Sequence, residues 1–195
     1  MPIIGRLIIR GDKMRFGLLL AAGLSALGVL VSAPASGQAY QAGLYDGRDI
    51  AGWAYSENAA GNAGLPTWQA VINGQPQSIN CNISFLPLEG TRAEWSAYFD
   101  SATPASFAAE VRTGGTDVTA VYLTESILWQ GRPALRNLMS ARQDGTIFEF
   151  LMLSISGAEQ LTTITCTAAQ GELLPNLDRF YRFTNAITVY TRAPE

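Results

Sequence analysis

The stretch Ile-Phe-Glu-Phe-Leu-Met-Leu-Ser-Ile, residues 147–155, decides the fold that this sequence predicts. It is apolar at both odd and even positions, whereas a strand with one face in water alternates apolar and polar side chains. The pattern predicts a central strand, Thr146–Ile155, that is covered on both faces. Because Asp144-Gly145 is typical of a two-residue hairpin turn, the preceding segment Arg132–Ala141 is expected to pair with this strand.

The segments around this hairpin predict further antiparallel strands. Leu161–Ala168 alternates apolar and polar residues and follows at a short interval, which indicates a meander. Further upstream, Asn73-Gly74 predicts a hairpin between Trp68–Ile72 and Gln77–Phe85. Two shorter strands are predicted at Asp117–Leu123 and Ser126–Trp129.

Three helices are indicated by their start signals. Thr91 and Glu94 have the spacing of a capping box, in which each side chain satisfies a free backbone N–H. Pro104 is placed to open a second short helix, because a missing N–H costs little in the first turn. A third helix is predicted to begin near Leu173, with apolar residues on one face.

Strands and helices are segregated along the chain, which predicts an α+β fold. We expect a single domain, residues 66–195, with an antiparallel sheet of about six strands covered by helices on both faces. Residues 40–65 are rich in Gly, Ala and Asn and are interpreted as a loosely ordered lead-in. The aromatic side chains of this lead-in are expected to dock on the domain; these are Tyr40, Tyr45, Trp53 and Tyr55.

Residues 77–189 resemble the PsbP/DcrB/Mog1 superfamily. The similarity is carried by Gly131-Arg132-Pro133-Ala134 before a strand, Gly145 at a hairpin, LTTITCTA at residues 161–168, and a terminal helix that closes into Ala186-Ile187. The resemblance implies an antiparallel sheet sandwiched by helices and an accessory, binding or envelope role without catalysis. It transfers no catalytic residues, and this sequence lacks the lipoprotein cysteine common among bacterial members.

Residues 1–39 have the three parts of a secretory signal peptide: a basic start, an apolar run at residues 16–31, and small residues up to Ala39. Cleavage is expected after Ala39, with Ala35 as the alternative, and translation starts at Met1 or Met14. The other interpretation is a permanent membrane anchor. We disfavour it because the apolar run is shorter than the roughly 20 residues that span a bilayer.

Charge and composition exclude several functions. After cleavage the chain keeps nine arginines and 15 acidic residues, a net charge of −6. No basic cluster is dense enough to follow a phosphate backbone, so nucleic-acid binding is disfavoured. The sequence contains no histidine, which excludes catalytic and zinc sites built on imidazole.

Cys81 and Cys166 are the only cysteines. In an oxidising compartment an even pair predicts a disulfide, and both residues fall in strand-like segments where a cross-strand bridge is feasible. Two buried free thiols are the alternative.

Glu149 is the candidate site carboxylate, because it interrupts the most apolar strand. A two-residue turn at Asp144-Gly145 would place Ser140 opposite Glu149 and Arg142 diagonal to it. Glu149 is therefore expected either to form a cross-strand ion pair or to lie in a ligand pocket.

Together these features predict an exported, periplasmic or secreted, non-catalytic binding or accessory protein of the envelope. Its expected partner is an unknown protein or a small apolar ligand, with no metal and no cofactor, and with membrane contact only through an uncleaved N-terminus. One alternative is a membrane-anchored structural or stress-related envelope protein. The other is a carboxylate-dependent hydrolase, which needs a second acid beside Glu149 in an open cleft.

Overall fold

The computed structural model describes residues 45–47, 49–56 and 65–194. The predicted signal peptide, residues 1–39, lies outside them. In chain order the described elements are β1 (Tyr45–Asp46), β2 (Trp53–Ser56), β3 (Thr67–Ile72), β4 (Gln75–Pro87), α1 (Arg92–Ser101), α2 (Pro104–Thr113), β5 (Asp117–Trp129), β6 (Arg132–Gln143), β7 (Thr146–Ile155), β8 (Gln160–Ala169), α3 (Leu173–Ala186) and β9 (Thr188–Val189).

An antiparallel sheet of seven strands dominates the described chain, in the order β2-β3-β4-β8-β7-β6-β5. β1 and β9 form a separate two-stranded ribbon. The sheet is larger than the predicted six strands because β2, which lies within residues 40–65, adds to its edge. The segments predicted as separate strands at Asp117–Leu123 and Ser126–Trp129 form one continuous strand, β5.

The hairpins β3–β4, β5–β6 and β6–β7 turn in the same way. Each turn has two residues with positive φ, and glycine takes the second position. Such turns match the right-handed twist of the paired strands. The turn residues are Asn73-Gly74, Gln130-Gly131 and Asp144-Gly145.

The helix starts agree with the local sequence signals. Thr91 and Glu94 form the predicted capping box at α1, and α2 begins at Pro104 as expected. Thr103 and Ser106 form a second capping box at α2, which the sequence pattern had not indicated. At α3, Glu172 occupies the N-cap position without a side-chain cap.

Two apolar clusters make up the core. The disulfide cluster contains Cys81, Cys166 and, from α3, Phe180 and Phe183. The α1–α2 cluster contains aromatic residues from the two shorter helices. β7 contributes to both clusters and is buried from Glu149 to Ile155, as its sequence predicts. Its residues Leu151, Leu153 and Ile155 belong to the disulfide cluster, and Phe150 and Met152 belong to the α1–α2 cluster.

Candidate ligand-binding site

A cavity of about 690 Å³ lies between the segment 46–53 and the C-terminal half of α3. This volume is in the range typical of small-molecule sites. Its walls come from residues that are more than 120 positions apart in the chain. The lining residues are Asp46, Gly47, Asp49, Ile50, Ala51, Gly52, Trp53, Val71, Arg179, Arg182, Phe183, Ala186 and Thr188.

Trp53 and Phe183 supply the aromatic part of the cavity. Their ring centroids are 4.6 Å apart, and Phe180 lies behind them at 6.5 Å from the Trp53 ring. Phe180 and Phe183 are fully buried, whereas Trp53 is half-buried. The same helix face that completes the core therefore also provides an apolar wall to the cavity.

The segment 45–56 is fixed to the domain by polar contacts and ring packing. The Trp68 indole N–H donates to the Gly47 carbonyl at 2.6 Å, and the ring centroids of Tyr45 and Tyr55 lie 5.5 and 5.1 Å from that of Trp68. At Gly47 a Cβ would lie 3.1 Å from Ile187 Cγ1, tighter than an ordinary contact, so a larger residue here would require Ile187 to shift by a few tenths of an ångström. The predicted docking of the lead-in aromatics is thus present for the described residues, while Tyr40 lies outside them.

Charged side chains occur on both walls of the cavity. Asp46 and Asp49 belong to the N-terminal wall, and Arg179 and Arg182 to the α3 wall. Arg182 pairs with Asp178 on its own helix at 2.7 Å, and both side chains are more than 70% exposed. Within the described part of the chain, no ion pair joins the two walls.

Glu149 is bound to the start of α3. Its Oε2 accepts a hydrogen bond from the Leu173 backbone N–H at 2.9 Å, and its Oε1 accepts one from the Tyr122 hydroxyl at 3.4 Å. A carboxylate at this position satisfies a free N–H and complements the positive end of the helix dipole. Since Glu172 provides no cap, the strand residue does so instead.

The predicted partners of Glu149 are only partly as expected. Ser140 is its register partner on β6, as the two-residue turn requires. The ion pair with Arg142 is not formed, because the Arg142 guanidinium pairs with Asp117 on β5 at 3.4 Å. Glu149 is not among the residues that line the 690 Å³ cavity.

The predicted disulfide is present between Cys81 and Cys166. The two residues are register partners on β4 and β8, and both are fully buried in the disulfide cluster. The bridge therefore joins the two neighbouring strands beneath α3 and lies in the core, outside the cavity lining.

A second titratable pair connects α1 to α2. The Tyr98 hydroxyl donates to both carboxylate oxygens of Glu110, at 3.0 and 3.2 Å. Burial raises the pKa of Glu110, and burial together with the charge of Glu110 raises the pKa of Tyr98. This pair stabilises the packing of the two helices and is remote from the cavity.

Arg132 fixes the C-terminal tail to the β5–β6 turn. Its guanidinium donates to the Thr191 hydroxyl at 2.8 Å and to the Val189 carbonyl at 3.3 Å. Partial burial lowers the pKa of Arg132. Since Val189 belongs to β9 and β9 pairs with β1, this contact supports the ribbon next to the cavity.

The part of the chain that the structure describes contains no group of three or more His, Cys, Asp or Glu residues able to hold a metal ion. Nor do the residues at 45–47, 49–56 and 65–194 include a helix long and apolar enough to cross a membrane.

No family model and no curated protein matches this sequence. Several solved structures are similar to it. LpqN of Mycobacterium tuberculosis, described as involved in cell envelope biogenesis, has 11% identity and a TM-score of 0.47 over 74% of this chain and 82% of its own. PsbP of Synechocystis sp. PCC 6803 has 12% identity and a TM-score of 0.43 over 73% and 84%. A Pseudomonas aeruginosa protein of unknown function, PA94, has 15% identity and a TM-score of 0.37 over 60% and 88%.

PsbP is also the first-named member of the superfamily that residues 77–189 resemble in sequence.

The sequence identified the disulfide but not the cavity. Asp46 and Asp49 belong to no binding motif in the sequence, because residues 45–49 supply too few oxygen ligands for a Ca²⁺ loop. Arg179 and Arg182 are three positions apart and so share one side of a helix, a signal that sequence analysis could have used. What these residues face depends on tertiary packing.

Proposed function

We propose that the mature protein is an exported, non-catalytic binding or accessory protein of the cell envelope, and that the 690 Å³ cavity is its ligand-binding site. The observation that carries this proposal is the cavity itself, with an aromatic wall at Trp53 and Phe183 and charged groups at its margins. Ligand sites are typically concave, with aromatic side chains on their walls and a small number of polar groups that orient the ligand.

Export is supported by the disulfide and by the N-terminal sequence. Disulfides persist in oxidising compartments such as the periplasm and are rare in the cytosol. The Cys81–Cys166 bridge lies in the core, and residues 1–39 have the composition of a signal peptide. We expect cleavage after Ala39, which gives Tyr40 as the first residue of the mature protein.

The proposed architecture includes helices on both faces of the sheet. Alternate side chains of a strand point to opposite faces. On β7, Leu151 shares a cluster with Phe180 of α3, whereas Phe150 shares a cluster with Phe99 of α1. This alternation supports α3 on one face and the two shorter helices on the other, with the cavity beside α3.

A hydrolase centred on Glu149 is less well supported. Both carboxylate oxygens of Glu149 accept hydrogen bonds from within the domain, and their contacts hold the start of α3. Asp46 and Asp49 are the carboxylates that do line the cavity. A ligand of this cavity should therefore be recovered chemically unchanged after binding.

The binding proposal can be tested with 1-anilinonaphthalene-8-sulfonate, an anionic aromatic dye, titrated into the mature protein isolated from the periplasm. We expect one saturable site, weakened by Trp53→Ala. Leu128→Ala and Leu174→Ala are matched controls, since these exposed apolar residues lie outside the cavity. Equal dye binding by Trp53→Ala and the parent protein, with native near-UV circular dichroism in both, would contradict the proposal.

Export is tested separately by N-terminal sequencing of that periplasmic form and by non-reducing mass spectrometry. The proposal expects Tyr40 or Ser36 as the first residue and no free thiol. An intact N-terminus in the membrane fraction would instead support the anchored alternative.

A further inference from the structure

We propose that the cavity binds a zwitterionic amphiphile, a molecule that carries an ammonium group and an anionic group on an apolar body. This inference rests on the proposed binding function and adds the chemical class of the ligand. It is drawn from the way the cavity separates its charged side chains.

The two walls carry opposite charges. Asp46 and Asp49 come from the short segment before β2, and Arg179 and Arg182 come from successive turns of α3. Among the described lining residues these four are the charged ones, and their charges sum to zero. A ligand with a single charge would pair with the side chains of one wall. The charged side chains of the opposite wall would then have no counter-charge in the ligand.

The charged groups are available to a ligand. Arg179 and Asp49 have no ion-pair partner in the part of the chain that the structure describes. Among the described residues, Arg182 pairs with the exposed Asp178, and a pair of this kind contributes about 0–1 kcal/mol. Asp46 accepts one long hydrogen bond, 3.5 Å from the Tyr190 hydroxyl. A ligand ion can therefore replace these contacts at small cost.

Apolar side chains line the same cavity as the charged groups. Trp53, Phe183, Ile50 and Val71 line this part of the cavity, and Trp53 is within 4.6 Å of Phe183. Burial of an apolar ligand body here would contribute roughly 25 cal/mol per Å² of area removed from water. The half-buried Trp53 also offers a ring face to an ammonium group.

The charge of the whole protein favours a zwitterion over a simple anion. The mature chain carries a net charge of −6, which disfavours the approach of anions at low ionic strength. A zwitterion has no net charge and avoids this repulsion, while its anionic group can still pair with Arg179. Arginine binds carboxylates and phosphates in a bidentate manner, so either group suits this wall.

Two sources supply this chemistry at a size that 690 Å³ can hold. One is a short apolar peptide with free termini, and the other is the headgroup region of an ethanolamine phospholipid. Both place an ammonium group a few ångströms from an anion, on an apolar body.

The first experiment is a calorimetric titration of the mature protein with the dipeptide Leu-Phe and its blocked forms. N-acetyl-Leu-Phe lacks the ammonium group, Leu-Phe amide lacks the carboxylate, and the doubly blocked peptide lacks both. We expect each single block to weaken binding about tenfold, as for the loss of one charge-assisted hydrogen bond. Mass spectrometry should recover Leu-Phe unchanged.

Variants assign each charge to its wall. Arg179→Gln should weaken binding of Leu-Phe about tenfold but leave the affinity for Leu-Phe amide unchanged. Asp49→Asn should weaken the binding of Leu-Phe but leave the affinity for N-acetyl-Leu-Phe unchanged. Arg142→Gln and Asp100→Asn remove the same charges outside the cavity and should change none of these affinities.

The lipid source is tested with dihexanoyl phosphatidylethanolamine against dihexanoyl phosphatidylglycerol, which lacks the ammonium group. Preference for the ethanolamine lipid, lost in Asp49→Asn, supports the proposal with a lipid as the ligand. If the dye binds but neither zwitterion exceeds its singly charged analogues, the zwitterion proposal is overturned and the binding proposal stands. If neither the dye nor any of these peptides and lipids binds, the binding proposal fails. Hydrolysis of Leu-Phe by the protein would contradict the proposal that its function is non-catalytic.

Discussion

The two sides of the β4–β8 pair are held in different ways, although their residues alternate along the same two strands. On one side Cys81 and Cys166 are register partners and are covalently joined. On the other side their chain neighbours Asn82 and Thr165 are also register partners and are fully buried. Among the residues that the structure describes, the Asn82 amide and the Thr165 hydroxyl have no hydrogen-bond partner.

The side of the sheet that carries Asn82 and Thr165 has further buried polar residues on the neighbouring strands. Thr165 faces Met152 on β7, Met152 faces Asn137 on β6, and Asn137 faces Thr124 on β5. The side chains of Asn137 and Thr124 also contain buried polar atoms without a partner. We call Asn82, Thr165, Asn137 and Thr124 the polar row.

The two sides of the β4–β8 pair are expected to contribute to stability with opposite signs. A buried polar group without a partner costs about 1–3 kcal/mol. A disulfide that closes a long loop contributes about 2–4 kcal/mol. The disulfide, the apolar cluster around it and the hydrogen-bonded Glu149 therefore stabilise one side of the sheet. Their contribution offsets the cost of the polar row on the other side.

The largest expected effect is from the disulfide. Replacing both cysteines, Cys81→Ala with Cys166→Ala, should lower the free energy of unfolding by about 2–4 kcal/mol, because the unfolded chain gains freedom over a separation of 85 residues. Urea unfolding of the mature protein measures this change. Reduction of the parent protein should give a similar loss, and an unchanged midpoint in both cases would mean that the disulfide side does not carry the stability.

Glu149→Ala should be the next largest effect. It leaves the buried Leu173 N–H without an acceptor and removes a negative charge from the start of α3. We expect a loss of about 1–3 kcal/mol in unfolding free energy. Glu172→Gln is the control, since Glu172 is exposed and provides no side-chain cap to α3. Equal small losses from both variants would argue against the capping role.

Thr165→Val should raise stability. The change keeps the shape of the side chain and removes a buried hydroxyl that has no partner. A gain of about 1 kcal/mol is expected from thermal or urea unfolding. Thr163→Val is a matched control on the same strand and face, because the Thr163 hydroxyl lies 3.4 Å from that of Ser154. If the Thr163 variant gains as much, the polar row is not the cause.

The smallest expected effect is from Tyr98→Phe, a loss of about 0.5–1 kcal/mol that depends on pH. Burial raises the pKa of Glu110, so the folded chain holds this proton more tightly than the unfolded chain. That contribution to stability is lost as the pH rises through the folded-state pKa. The Tyr98 hydroxyl lowers the pKa of Glu110, and without it the pKa rises further.

The loss for Tyr98→Phe should therefore be larger at pH 7 than at pH 4, as measured by urea unfolding at both values. An equal loss of unfolding free energy at both pH values would mean that the contribution of the Tyr98 hydroxyl does not depend on the ionisation of Glu110. Tyr122→Phe provides a comparison, since its hydroxyl contacts a different carboxylate, Glu149.

Local patterns predicted much of the sheet correctly. The alternation of apolar residues and the Asp144-Gly145 turn placed Ser140 opposite Glu149, as the structure has it. These features depend on residues close together in sequence. β2 was missed because Trp53–Ser56 has only four residues, and its pairing with β3 depends on how segment 45–56 docks.

The contacts of Glu149 and the cavity could not be predicted for the same reason. The acceptor Glu149 and the donor Leu173 are brought together by the packing of α3 on the sheet. Asp49 and Arg179 belong to opposite ends of the mature chain, and nothing in either local sequence indicates the other. Periodicity identifies which residues are buried, but not which surfaces meet.

The position of β4 next to β8 divides the large sheet into two ribbons of consecutive strands, β2–β4 and β5–β8. Each ribbon can form from strands that follow one another in the chain, whereas the seam between them joins residues 80–87 to residues 160–167. If the chain is exported from its N-terminus as proposed, Cys81 reaches the oxidising compartment before Cys166, because 85 residues separate them. The disulfide that crosses this seam can therefore form only after β8 has followed β4 into that compartment.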